Sequence, residues 1–159
     1  MKGSGEVTVT GHKNKVTFKT LMAKAFVDDR RLDAMEELFL EFRFNESTDY
    51  ELNEINGMKL PEDYLEFMHK HNGGEGNVGK KSYMQLKKLE EVMDYNYDYG
   101  FFEYFPDCFA FGTDLGGMLF SYHLKDGYYF AIDACSMGED DIVYQSHSFQ
   151  ELIEKWDEL

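Results

Sequence analysis

The side chains best equipped for chemistry fall in a few short stretches of this chain. His69 and His71, in LPEDYLEFMHKHNGGEG (residues 60–76), are the first metal-ligand candidates. Two residues apart on a helix, they point roughly 200° away from each other and cannot share one ion. No His-Glu-x-x-His pattern accompanies them, and with Lys70 they read as cations of a last helical turn. Gly112-Thr-Asp-Leu-Gly-Gly117 suggests a phosphate cradle. It lacks the Lys-Ser/Thr ending of such loops and precedes a strand, so it reads as a turn between strands. Ser121 and His123 share a strand face, and Asp114 or Asp133 would complete a hydrolytic triad, but no strained nucleophile elbow surrounds Ser121. Glu139-Asp140-Asp141 offers oxygen ligands for calcium without the alternation of an EF-hand loop, and reads as a solvated acidic loop. Cys108 and Cys135 lie in apolar strand-like runs with no Cys-x-x-Cys spacing, so both are expected as buried, reduced thiols. The expectation is a chain that is not an enzyme, with no catalytic set, no metal and no cofactor.

Asp94–Phe105, DYNYDYGFFEYF, is different in kind: seven aromatic side chains mixed with three acids. Phe101, Phe102 and Phe105 suit a core. Tyr95, Tyr97 and Tyr99 are spaced by two and share a face if the segment is extended. Tyrosine combines stiff contact area with a polar end, which makes it frequent at binding hot spots. The competing reading is an amphipathic aromatic strand or loop packed on its own domain. On the first reading, Asp94, Tyr95, Tyr97, Asp98, Tyr99, Glu103 and Tyr104 form a partner-binding surface.

Charge limits the partner. The net charge is −15 over 159 residues, and its distribution is uneven. Residues 1–31 carry seven Lys/Arg against three Asp/Glu, whereas residues 89–141 carry twelve acids and one base, Lys125. Such a surface repels nucleic acid and anionic membrane and attracts basic proteins. No apolar run approaches the roughly 18 residues of a membrane span, and the start, MKGSGEVTVTGHKNK, has no hydrophobic signal segment. A cytoplasmic location is therefore expected. Apolar residues make up 43% of the chain, enough for a folded core.

The elements that must position these groups follow from periodicity. Glu6–Thr10 and Lys15–Thr20 alternate as a hairpin, and a helix is expected over Asp28–Phe44. Tyr50–Asn56 suits a short helix before Gly57. A well-punctuated helix over 61–71 follows, with Pro61 at its first position, Glu62 and Asp63 in the first turn, and Asn72-Gly73-Gly74 as its stop. Gly73–Gly79 reads as a glycine-rich turn. Tyr83–Leu86 reads as a strand and Leu89–Asn96 as a helix. Cys108–Phe111, Met118–Leu124, Tyr128–Asp133 and Ile142–Tyr144 read as strands, with Asp126-Gly127 as a hairpin turn. Ser148 and Glu151 form a capping box for a terminal helix through Trp156. Helices, then adjacent strands, then a helix predict an α+β class: one domain, mainly an antiparallel twisted sheet with helices packed around it.

LPEDYLEFMHKHNGGEG, CFAFGTDLGGMLFSYHL and SFQELIEKW, in this order, resemble the landmarks of the SUKH superfamily, which includes Smi/Knr-type fungal regulators and bacterial immunity proteins. The resemblance covers about residues 28–159 and leaves 1–27 as an N-terminal hairpin extension. It implies the same α+β fold and a binding role without an established catalytic set. It makes Leu60, Pro61, Tyr64, Phe67, Asn72, Gly73, Gly74, Phe111, Gly112, Gly116, Gly117 and Trp156 structural positions. The function expected from it is neutralisation of a cognate bacterial toxin domain, a basic protein and possible nuclease. The alternative is a Smi/Knr-like regulatory or scaffolding module.

Overall fold

The computed structural model describes residues 35–136 and 138–159, and Leu38–Leu159 forms one compact unit. The hairpin expected over Glu6–Thr20, and the boundary expected at residue 27, lie outside the described residues. Seven strands form one sheet in which every neighbouring pair is antiparallel. In spatial order they are β1 (Glu41–Phe44), β4 (Gly74–Val78), β5 (Ser82–Leu86), β6 (Cys108–Thr113), β7 (Met118–His123), β8 (Tyr128–Asp133) and β9 (Ile142–Ser146). A separate hairpin pairs β2 (Glu54–Ile55) with β3 (Met58–Lys59). The helices are α1 (Glu62–His71), α2 (Leu89–Asp98), the short α3 (Phe101–Tyr104) and α4 (Phe149–Glu158). The expected class, α+β with helices packed around an antiparallel sheet, is the observed one.

Every residue of β6 is buried, because helices cover both faces of the sheet at this strand. On one face Phe109 and Phe111 meet Tyr64 of α1, and Phe111 also meets Phe149 of α4. On the other, Cys108 and Ala110 join Tyr95, Phe101 and Phe105 from the α2–α3 segment, with Leu119, Phe130 and Ile132. Burial pushes the Cys108 thiol up to about 12, with help from Asp107, Asp126 and Glu139, so it stays protonated. Cys135 departs from expectation: it is exposed, in the turn after β8, because the apolar run ends at the strand's last residue.

The helix over 61–71 forms as its punctuation dictates, one residue later than expected. Pro61 is its N-cap, in extended backbone, and its carbonyl accepts the first helical bond, from Leu65. Asn72 stops it in the left-handed region at φ 50°. Leu60, Tyr64 and Phe67 are buried as expected of landmarks. Trp156 is not a core residue: it is half-buried, edge-on to Phe120 at 5.2 Å, and donates from Nε1 to the Tyr83 carbonyl at 3.0 Å.

Three local expectations are overturned. The helix expected through Phe44 has ended by Leu38, and residues 41–44 are β1. Helical spacing put Phe39 and Phe42 on one face, but in the strand Phe42 and Phe44 share a side and cluster with Phe39. Tyr50–Asn56 is not a helix; Asn56 and Gly57, at φ 53° and 79°, turn β2 into β3. Gly73–Gly79 is largely strand β4. Gly74 and Gly76 stand opposite Phe44 and Phe42 of β1, and the missing side chains let β1 approach. A Cβ on Gly74 would lie 2.1 Å from the Arg43 carbonyl oxygen and 2.9 Å from the Phe42 ring, at a φ of +145° that L-residues rarely adopt. Gly74→Ala is expected to destabilise the chain by about 2 kcal/mol. Urea unfolding checks this, and unchanged stability would mean that β1 does not pack as described.

Candidate partner-binding face

The segment singled out for its tyrosines is helical, not extended. α2 runs to Asp98, Gly100 turns at φ 67°, and α3 follows. The shared-face geometry expected for Tyr95, Tyr97 and Tyr99 is therefore replaced by helical geometry, which separates them. Tyr95 points into the core, 9% exposed, with its ring tilted against Tyr99 at 4.8 Å and the Lys87 ammonium 4.8 Å over it. Burial, then the nearby Tyr99, push its hydroxyl up to about 12 despite an opposing Thr113 contact. Tyr95 thus supports the surface from behind rather than forming it. Tyr97, Tyr99 and Tyr104 are 63%, 56% and 63% exposed, and Asp94, Asp98 and Glu103 are exposed beside them. Asp94, Tyr97 and Asp98 stand at i, i+3 and i+4, one contiguous stripe of α2. Tyr97 meets the Phe102 ring edge-on at 5.1 Å, which ties the end of α2 to α3.

What holds this platform was not legible as a site residue. Asn96, fully buried, donates from Nδ2 to the Val92 and Ala110 carbonyls at 2.7 and 2.8 Å. Its Oδ1 accepts from the Ala110 N–H at 2.7 Å. Ala110 lies where the β6–β7 register shifts, so its backbone polar groups need a partner from outside the ladder. The other end of α2 is held by the Asn72 side chain, which accepts from the Leu89 N–H at 2.9 Å and donates to Glu90 at 3.0 Å. The Asn72 backbone carbonyl accepts from Asn45 at 3.0 Å. Asn72, expected as a helix stop and a structural landmark, also caps a second helix.

Asn72 and Glu90 line a cleft of about 470 Å³ with Phe44, Asn45, Thr48 and Lys88. The Asn72 amide, chiefly, holds the Glu90 carboxyl below its ordinary range. A depressed carboxylate contributes stability that is full above the unfolded-state value and fades as pH falls through the folded one. Glu90→Gln is therefore expected to flatten the loss of stability on acidification below about pH 4.5. Thermal melts from neutral pH downward check this, and parallel curves for parent and variant would refute it.

The other chemical candidates resolve into local structure. In the Gly112–Gly117 turn, Asp114 Oδ1 accepts the Gly116 and Met118 N–H groups at 2.7 and 2.8 Å, so a carboxylate fills the place an anion would need. Leu115 stands exposed at the tip, at φ 63°. His123 accepts the Asp126 N–H on Nδ1 at 3.0 Å and stacks on Tyr128 at 5.0 Å, while Ser121 Oγ is buried without a hydrogen-bond partner. They do not form a Ser–His pair. His71 stacks on Phe44 at 3.8 Å, and His69 is half-buried. Glu139–Asp141 is a single 3-10 turn. Among the described residues, no group of three or more His, Cys, Asp or Glu is placed to hold a metal ion, and no helix is long and apolar enough to cross a membrane.

The described fold is an antiparallel sheet flanked by helices, with the acidic and aromatic end of α2 exposed on it. The profile of the SMI1 / KNR4 family (SUKH-1) matches residues 50–155, and the chain belongs to that family. No individual curated protein matches it significantly.

Proposed function

We propose that this chain is an immunity protein that binds a cognate bacterial toxin domain in the cytoplasm and neutralises it without catalysis. Family membership supports a protein partner. The observation that carries the reading is the face formed by Asp94, Tyr97, Asp98, Tyr99, Glu103 and Tyr104, exposed on a helix clamped to the sheet by Asn96. Its partner is a basic protein surface, not nucleic acid or membrane. Carboxylates steer a cationic surface toward it, and the tyrosines provide contact area that is desolvated on docking.

The two contributions separate kinetically. The test pairs this chain with its cognate toxin domain, made catalytically inactive, and measures binding at two salt concentrations. Asp94→Lys with Asp98→Lys is expected to slow association and flatten its salt dependence, since steering is screened over about 8–10 Å. Tyr97→Ala is expected to speed dissociation by about 30-fold, the value for a hot spot near 2 kcal/mol. Folded variants that bind as the parent does would move the face elsewhere, with the exposed Leu115 turn the next place to look. A chain that ignores the toxin but binds an envelope-signalling protein would favour the Smi/Knr-like regulatory reading.

A further inference from the structure

The partner-binding reading leaves open which cation the face takes, and the end of α2 bears on that. The C-terminal carbonyls of a helix form the negative end of its dipole, and basic residues usually offset them. α1 ends on His69, Lys70 and His71, and α4 has Lys155 in its last turn. α2 has no basic residue in its last turn and places Asp98 at its final position, one turn after Asp94. Like charges at i, i+4 beside the negative end of a helix oppose its formation. Nor does the neighbouring sequence relieve this, since Leu89–Leu124 contains seven acids and no Lys or Arg. Beside the two carboxylates, three residues after Asp94, lies Tyr97, 63% exposed and braced edge-on by Phe102. A cation over an aromatic ring is already used once on this helix, where Lys87 covers Tyr95. Among the described residues, none covers Tyr97 in that way.

We propose that the C-terminal end of α2 is an arginine-docking site, in which a guanidinium from the partner protein stacks on Tyr97 and directs its N–H groups to Asp94 and Asp98. The inference rests on the partner-binding reading of this face and deepens it. Arginine fits better than lysine for two reasons. Its planar group stacks on a ring while its edge forks onto carboxylates, and it is more weakly hydrated than an ammonium. Docking also supplies the positive charge that the helix end lacks.

The test uses the full chain and two probes, tri-arginine amide and tri-lysine amide, with backbone amide shifts followed by NMR. Tri-arginine is expected to shift residues 94–104 and to bind about fivefold or more tighter than tri-lysine, given the planar contact. Tyr97→Leu should abolish that preference, Tyr97→Phe should retain it, and Asp98→Asn should weaken both peptides. Equal affinity for the two peptides would overturn the proposal, as would shifts spread over the acidic surface without focus on 94–104. Neither probe involves a toxin, so the two readings fail separately. A chain that neutralises a toxin yet shows no arginine preference loses only this inference. One that prefers arginine but meets no toxin loses only the proposed function.

Discussion

Asn96→Ala is expected to cost about 3–4 kcal/mol of stability, because it leaves the Ala110 N–H and C=O buried without their partner, each worth about 1–3 kcal/mol. The Asn96 carboxamide is the only side chain shown bonding that residue's backbone on both sides among the described contacts. The site is fully buried, so bulk solvent does not reach these groups. A leucine of similar size fills the volume but not the hydrogen bonds, so Asn96→Leu should be nearly as destabilising. Urea unfolding should show a lower midpoint with an unchanged slope. Because the clamp also fixes the platform for Tyr97 and Tyr99, amides of residues 94–104 should exchange faster than in the parent. A variant as stable as the parent would show that the register shift at Ala110 is satisfied in another way.

The second large effect is expected at Phe149. Its ring is fully buried between Tyr64 and Phe67 of α1 and Phe111 and Tyr129 of the sheet, with centroids 5.0–6.0 Å away. Truncation to alanine removes the shared contact of three elements and leaves a cavity, for an expected loss of about 4 kcal/mol. The backbone bond from the Phe149 N–H to Asp63, at 2.8 Å, survives the change. A loss from Phe149→Ala therefore measures packing rather than capping. Asp63→Ala provides the complementary measurement, because Asp63 also accepts from the buried Tyr129 hydroxyl at 2.5 Å. That hydroxyl is raised far above its ordinary range, first by burial and then by Asp63. Trp156→Ala should cost less than Phe149→Ala, since Trp156 is half-buried. Chemical denaturation of the three variants ranks them, and a Trp156 loss larger than that of Phe149 would contradict the packing described.

Both residues bear on what was legible in the chain. Phe149 was visible as the first apolar position after Ser148, and the capping bond from the Glu151 N–H to Ser148 Oγ forms at 3.0 Å as expected. The reciprocal half of the expected capping box does not form, because Glu151 accepts from the His147 N–H, not that of Ser148, at 2.7 Å. Asn96 was invisible in its role. A polar residue amid aromatics reads as a surface position, and only the juxtaposition of α2 with the register shift in β6 gives it a partner 14 residues away.

The elements with strong local signals were determined by sequence alone. α1 has acids first, cations last and a left-handed asparagine at its end, so its backbone and charges agree before any tertiary contact forms. The strand Tyr128–Asp133 and its Asp126-Gly127 turn were likewise fixed by β-branched and aromatic content and by a glycine at φ 77°. The family could be read from three such segments in order, and the profile match over residues 50–155 agrees. Tertiary structure decided the rest. Glycines usually mark turns, yet Gly74 and Gly76 are strand residues because the aromatic side chains of β1 occupy the space above them. Alternating tyrosines suggest a strand, yet Tyr95 and Asn96 are drawn inward on a helix by the buried face of β6. That inward pull leaves Tyr97 and Asp98 in solvent, because a helix turns successive residues about 100° apart and one wall of β6 can bury only part of its circumference.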